Sequence, residues 1–307
     1  MEDLIQLNSV YIKNTLNILL QDKTTKKNII WATDAYEHLG SEYGDKNQIT
    51  AMALTGLNAI MLQPRILKSL EQQQMRTRKH AEVFTPAWLC NKMNNYCDEE
   101  WFGRKNVFNV ETAGGWETVK EKITFSPDKN WKKYVDSRRL EITCGEAPYL
   151  VSRYDAASGR KIALQDRIGI LDRKLRVVNE NACDEEEWLK WTVRAFQSVY
   201  GYEFQGDNLL IGRINLLMTF VEYMDERWNR LPTAEEIKKV ANIIAWNLWQ
   251  MDGLTCAVPL GKPEEMVQQV SIMNMFDDSE EETAPLCKIY DWRRDNSLLF
   301  IKLKEEK

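Results

Sequence analysis

The sequence predicts an α/β fold with a helical N-terminal part, and three observations carry that expectation. Three acidic residues, Glu141, Glu203 and Asp252, each close an apolar segment in order along the chain. The first is followed by small residues, Thr143-Cys144-Gly145-Glu146-Ala147, a loop whose backbone can approach a ligand closely. Between and beyond these segments apolar residues recur at helical spacing. In a sheet of parallel strands wound with helices, ligands lie outside the carboxyl ends of the strands, where an acid ending the second strand can accept hydrogen bonds from ribose hydroxyls.

Taken in order, residues 1–22 place Leu4, Ile5, Val10, Tyr11, Leu16 and Leu19 at spacings suited to one or two short amphipathic helices. A loop with Gly40 and Gly44 follows, then a helix over Ile66–Gln74, so that 1–75 reads as a helical N-terminal region. Next comes a basic cluster, Arg76-Thr77-Arg78-Lys79-His80, leading into Glu82-Val83-Phe84-Thr85-Pro86. Thr85 reads as the N-cap and Pro86 as the first residue of a helix carrying Leu89, Met93 and Tyr96. Residues 98–136 read as a connection with one short strand at Ile123–Phe125.

A strand ends at Glu141, and a helix or extended segment begins near Pro148. Arg153, Arg160, Lys161, Arg167, Arg173, Lys174 and Arg176 make the next segment basic, with Ala157-Ser158-Gly159 as a hairpin turn. Two readings of it stay open: contact with DNA phosphates or a partner, or a solvated hairpin with salt bridges. Asp184 to Phe196 is a helix, and Ser198–Phe204 a second strand that ends on an acid. Leu209 to Met224 has helical spacing again, and Thr233-Ala234-Glu235-Glu236 is a capping box opening another helix. Residues 76–260 thus form the main domain. The tail, 261–307, holds an acidic stretch at 277–283 and a strand within 288–303 suited to docking a partner.

Composition bounds the function. The 307 residues are 44% hydrophobic and 28% charged with net charge −5, ordinary for a globular protein and unlike a stand-alone nucleic-acid binder. No apolar run reaches the roughly 20 residues of a membrane span. Met1-Glu2-Asp3 lacks the basic start of a secretory signal, and the six cysteines form no Cys-x-x-Cys pair, which points to the cytoplasm and away from a metal site. Trp188, Trp191, Trp246 and Trp249 read as core rather than as a base-stacking platform.

Several segments resemble the amino-group DNA methyltransferases. Glu141–Leu150 resembles motif I, Tyr200-Gly201-Tyr202-Glu203-Phe204 motif II, Met251-Asp252-Gly253-Leu254 motif III, and Glu82-Val83-Phe84-Thr85-Pro86 motif X. The order X, I, II, III is that of the gamma-class adenine-N6 enzymes. Residues 77–86, 141–155 and 246–254 are similar to M subunits of restriction–modification systems, over nearly the whole chain. The resemblance implies a Rossmann-like class I methyltransferase core binding S-adenosylmethionine. It puts Thr85 near the amino-acid end of the cofactor, Thr143 and Gly145 at the approach of the loop backbone, and Glu141 at the end of the strand as a further cofactor contact. Glu203 would take the ribose hydroxyls, Phe204 would lie against the adenine, and Asp252 would take its amino group. The sequence departs from the pattern at Ala147, which stands where a second glycine is usual. It departs also in the long interval from Glu141 to Glu203 and in the helix that precedes Asp252.

The family's catalytic motif is an Asn, Asp or Ser followed by Pro-Pro and an aromatic residue, which together hold the flipped base. Here no two of the eight prolines are adjacent, and none precedes a cysteine. The expectation is therefore a chain without catalytic residues of its own. It would bind S-adenosylmethionine in an incomplete sheet, and a second methyltransferase subunit would complete that sheet, supply the catalytic motif and act with it on double-stranded DNA. The competing expectations are a degenerate methyltransferase fold that serves binding or assembly without its own cofactor, favoured by Ala147, and a DNA-recognition module, disfavoured by the acidic charge.

Overall fold

The structure is a computed structural model that describes residues 4–57, 59–80, 82–263 and 283–305. The acidic stretch expected at 277–283 lies outside the described residues except for Thr283. At the centre is a parallel sheet of three strands, β3 (Arg139–Glu141), β4 (Val199–Glu203) and β5 (Leu248–Gln250), in the order β3-β4-β5. Leu140 pairs with Tyr200, and Tyr202 with Trp249. Two antiparallel hairpins lie outside it: β1 (Asn109–Thr112) with β2 (Gly115–Thr118), and β6 (Lys288–Asp291) with β7 (Asn296–Leu299).

Each step across the sheet passes through two helices. α6 (Ile170–Asn181) and α7 (Glu185–Gln197) join β3 to β4, and α8 (Gly206–Trp228) and α9 (Ala234–Asn247) join β4 to β5. Both steps go the same way across the sheet, so right-handed crossovers put all four helices on one face. Strand alternation then sorts the core. Val199 and Leu248 point into the helical layer, whereas Tyr200, Tyr202, Trp249 and Met251 point to the opposite face, under Ile289 of β6 and Phe300.

From Gly206 to Val221, α8 is buried on every side, polar residues included. It packs on β4, β5, α9 and the N-terminal helix α1 (Val10–Leu20), and its buried Arg213 fastens these pieces together. The guanidinium donates to the carbonyls of Leu19, Gln21, Ala245 and Leu248, the open carbonyls at the ends of α1 and α9. Burial lowers its pKa to about 10. The apolar core is continuous from Ile12, Leu16 and Trp31 of the N-terminal region into the helical layer.

Several sequence expectations change. The expected strand at Ile123–Phe125 is irregular chain, and the nearby hairpin is β1–β2, where the turn at Ala113-Gly114 joins polar strands that carry no alternation signal. The expected helix at Ile66–Gln74 begins later, at Leu70, and continues to His80 as α3, so the basic cluster is helical. Helix α4 (Ala87–Phe102) is capped at Pro86 rather than Thr85; Asp155, from the segment after β3, accepts the Ala87 N–H at 3.2 Å in place of a local cap.

No α-helix starts at Pro148; until α6 the chain runs through turns, a bridge between Tyr154 and Lys161 and a short 3-10 helix at Leu164–Asp166. The expected turn at Ala157-Ser158-Gly159 forms a short hairpin, with Tyr154 bridged to Lys161 and Arg160 and Lys161 exposed, but much of the remaining basic segment is interior. Arg153, Arg173 and Lys174 are buried, with Arg153 on Glu222 at 2.8 Å and Arg173 on Asp98. Asp252 follows a strand, β5, which sequence periodicity merged with the apolar face of α9.

Candidate cofactor site

The loop after β3 is shaped by alternating left-handed residues: Thr143 (φ 47°), Gly145 (φ 53°) and Ala147 (φ 63°). Such alternation turns successive backbone N–H groups toward one side. The Cys144 N–H donates to Tyr202 O at 2.8 Å and holds the loop against β4. Gly201 makes this approach possible, because a Cβ there would lie 3.2 Å from Cys144. At Gly145 the left-handed backbone and the nearby Phe84 ring, 3.2 Å from where a Cβ would stand, both favour glycine.

Two carboxyl groups close the strands beside this loop. Glu203 Oε2 accepts the Gly145 N–H at 2.8 Å and Oε1 accepts the Gln205 N–H at 3.1 Å. Glu141 accepts the N–H groups of Tyr149 at 3.2 Å and Leu150 at 3.1 Å. Burial pushes Glu141 up to about 8, against its two backbone hydrogen bonds. Burial also pushes Glu203 up to about 7. Among the described residues neither carboxyl group has an ion pair, and both accept backbone N–H groups, so the site favours hydrogen-bond donors.

Both acids line a cavity of about 1050 Å³ outside the ends of β3 and β4. It brings together Thr85, Glu141, Thr143, Gly145, Glu203 and Phe204. Asp252 is not on its lining. That carboxylate accepts the Leu254 N–H at 2.8 Å and caps the turn after β5, the strand farther from the cavity. Pro86 takes the capping position, and Thr85 stands on the cavity wall beside Tyr149, with which its side chain hydrogen-bonds.

Sequence reasoning missed further lining residues. Met93, Asn94 and Cys97 of α4 face the cavity, and their three- and four-residue spacing downstream of Thr85 is the signal that could have found them. Glu82, Gln205 and Asn208 line it too and belong to a buried polar network without a sequence signature. At its centre Arg76, 1% exposed, donates to Glu82 at 2.6 Å, to Asp207 at 3.0 Å and to Gln205. Lys68 and the Tyr36 hydroxyl reach Asp207 at 3.0 and 2.9 Å. Burial acts to raise the Asp207 pKa, but Arg76 and Lys68 hold it below the usual carboxylate range. The expected basic cluster therefore contributes its first arginine to the interior, whereas Arg78 and Lys79 stand on the cavity lining.

No family model, curated protein or solved structure matches this chain. Among the described residues no group of His, Cys, Asp and Glu side chains is placed to hold a metal ion, and no helix is long and apolar enough to cross a membrane.

Proposed function

We propose that this chain is the S-adenosylmethionine-binding subunit of a split DNA adenine-N6 methyltransferase of a restriction–modification system, with a Rossmann-like class I core. The observation that carries the reading is the cavity at the ends of β3 and β4. Residues chosen from the sequence at three separate places, 85, 141–145 and 203–204, line one space of about 1050 Å³, close to the top of the roughly 300–1,000 Å³ usual for small-molecule sites.

The chemistry suits that cofactor. S-adenosylmethionine carries a ribose diol and an ammonium, hydrogen-bond donors that a site with two carboxyl groups can accept from. In this reading Glu203 accepts from the ribose hydroxyls, Phe204 and Phe84 supply apolar walls, and the loop at Thr143–Gly145 approaches the amino-acid end beside Thr85. Ala147 keeps the left-handed backbone that glycine would adopt there, so its presence does not favour a degenerate fold.

The sequence holds no Pro-Pro-aromatic motif, so the target adenine of double-stranded DNA is held and methylated with groups from a second subunit. Calorimetric titration with S-adenosylmethionine tests the reading. Binding by the chain, alone or with its partner, is expected; absence of binding in both settings overturns it.

A further inference from the structure

We propose that Arg78 is the anion-binding residue of the cofactor cavity, pairing with the carboxylate of S-adenosylmethionine at the cavity rim and so fixing the direction in which the cofactor lies. This inference rests on the reading of the cavity given above and adds to it the residue that selects ligands with an amino-acid end.

Charge is unevenly spread over the cavity wall. Its acids are Glu82, Glu141 and Glu203, and among the described residues its only cations are Arg78 and Lys79. Glu82 is met by Arg76 and Arg65 at 2.6 and 3.3 Å, whereas Glu141 and Glu203 accept backbone N–H groups. A ligand carboxylate beside those two acids would meet like charge, and beside Arg78 it meets a cation. S-adenosylmethionine has hydroxyl donors on its ribose and a carboxylate at the far end of its amino-acid chain. The ribose is therefore drawn to Glu203 and the carboxylate to Arg78.

Of the two cations one is already taken. Lys79 Nζ lies 2.6 Å from Asp34. Arg78 is exposed, and among the described residues its guanidinium has neither an ion pair nor a hydrogen bond. The helix explains why it differs from Arg76. The two arginines stand two residues apart on α3, about 200° around its axis, so Arg76 is enclosed in the buried network and Arg78 is left on the cavity rim.

The other donors on the wall are engaged. Successive backbone N–H groups in the loop after β3 could otherwise serve an anion, but the Cys144 N–H is bound to Tyr202 O and the Gly145 N–H to Glu203. The Asn94 amide donates to Tyr149 O and Ile168 O, and the Asn208 amide to Glu82. An arginine suits the remaining role, since its planar fork can hold a carboxylate through two parallel hydrogen bonds.

Calorimetric titration of the full chain, alone and with its partner, tests the assignment with three probes: S-adenosylmethionine, S-adenosylhomocysteine and 5′-methylthioadenosine, the last of which lacks the amino-acid end. Arg78→Gln is expected to weaken binding of the first two at least fivefold and of 5′-methylthioadenosine less than twofold, with the unfolding midpoint unchanged. Arg78→Lys is expected to recover part of the loss, and Lys79→Gln to cost less than twofold. A loss below fivefold for S-adenosylmethionine in Arg78→Gln overturns the assignment, and so does an equal loss for 5′-methylthioadenosine, which is what a merely structural residue would give. A loss as large in Lys79→Gln overturns the choice between the two cations. In each of these cases the wild-type chain still binds S-adenosylmethionine and the proposed function stands. A wild-type chain that binds none of the three probes in either setting overturns the proposed function and this inference with it.

Discussion

The Gly145 N–H donates to Glu203 Oε2 at 2.8 Å, tying the loop after the first strand of the sheet to the acid that ends the second. The bond holds the carboxylate against one wall of the cavity, and it makes the loop and Glu203 a single unit.

Substitution of Glu203 therefore separates two roles. Glu203→Ala removes the acceptor of two backbone N–H groups and is expected to cost about 1–3 kcal/mol of stability in denaturant unfolding. Glu203→Gln keeps one acceptor oxygen and loses less. On the proposed function, both variants are expected to lower affinity for S-adenosylmethionine by tenfold or more and to abolish methylation by the chain together with its proposed partner. Wild-type activity in either would mean that Glu203 is not the ribose ligand.

The two buried acids set a pH dependence whose sign is fixed. Their folded pKa values, about 8 for Glu141 and about 7 for Glu203, lie above the ordinary 4.5, so the folded chain binds protons more readily than the unfolded one. That stabilisation is complete below the unfolded value and is lost as pH rises through about 7 and 8. Thermal melts of the empty chain are expected to fall from pH about 5 to pH about 8, and less steeply in Glu203→Gln. Cofactor affinity is expected to move the opposite way and rise over that window, since hydroxyl donors bind the ionised form better.

Two neighbouring loop positions with the same backbone hand should respond differently. Gly145→Ala brings a Cβ to 3.2 Å from Phe84 at φ 53° and is expected to destabilise by about 1–2 kcal/mol while weakening cofactor binding. Ala147→Gly relieves about 1 kcal/mol of left-handed strain and gives up a buried methyl worth roughly 0.8 kcal/mol. Its unfolding midpoint should stay near the wild-type value.

Charge in the interior should matter more than charge at the surface. Arg76→Met leaves Glu82 and Asp207 short of a partner in a buried network and is expected to cost about 3–5 kcal/mol. Arg160→Ala, on an exposed turn, should stay within about 0.5 kcal/mol. Equal unfolding curves for the two variants would contradict the burial of Arg76.

Arg213→Met should be among the most damaging changes away from the cavity, since it strips the carbonyls of Leu19, Gln21, Ala245 and Leu248 of their donor. A loss of roughly 3 kcal/mol or more is expected in denaturant unfolding. Arg213→Lys should restore only part of it, because an ammonium cannot reproduce the fork that serves several carbonyls at once.

By itself the sequence determined the features written in local chemistry. An acid closing an apolar run, a loop rich in small residues and a Thr-Ala-Glu-Glu capping box each act within a few residues, and β3, β4 and α9 stand where those signals put them. The same signals brought Thr85, Glu141, Thr143, Gly145, Glu203 and Phe204 to one cavity. Only the tertiary structure decided the rest. The strand β5 was hidden because Leu248 serves the apolar face of α9 and the sheet alike. Asp252 carries the same side chain as a ligand acid would, yet it caps a turn off the cavity lining. Arg76, Arg173 and Lys174 look like a basic surface in sequence and are interior, because their neutralising partners, or in Lys174 the Ser137 and Ser198 oxygens, come from distant segments. Burial depends on which segments meet, and a charge costs little inside only when those meetings supply its partner.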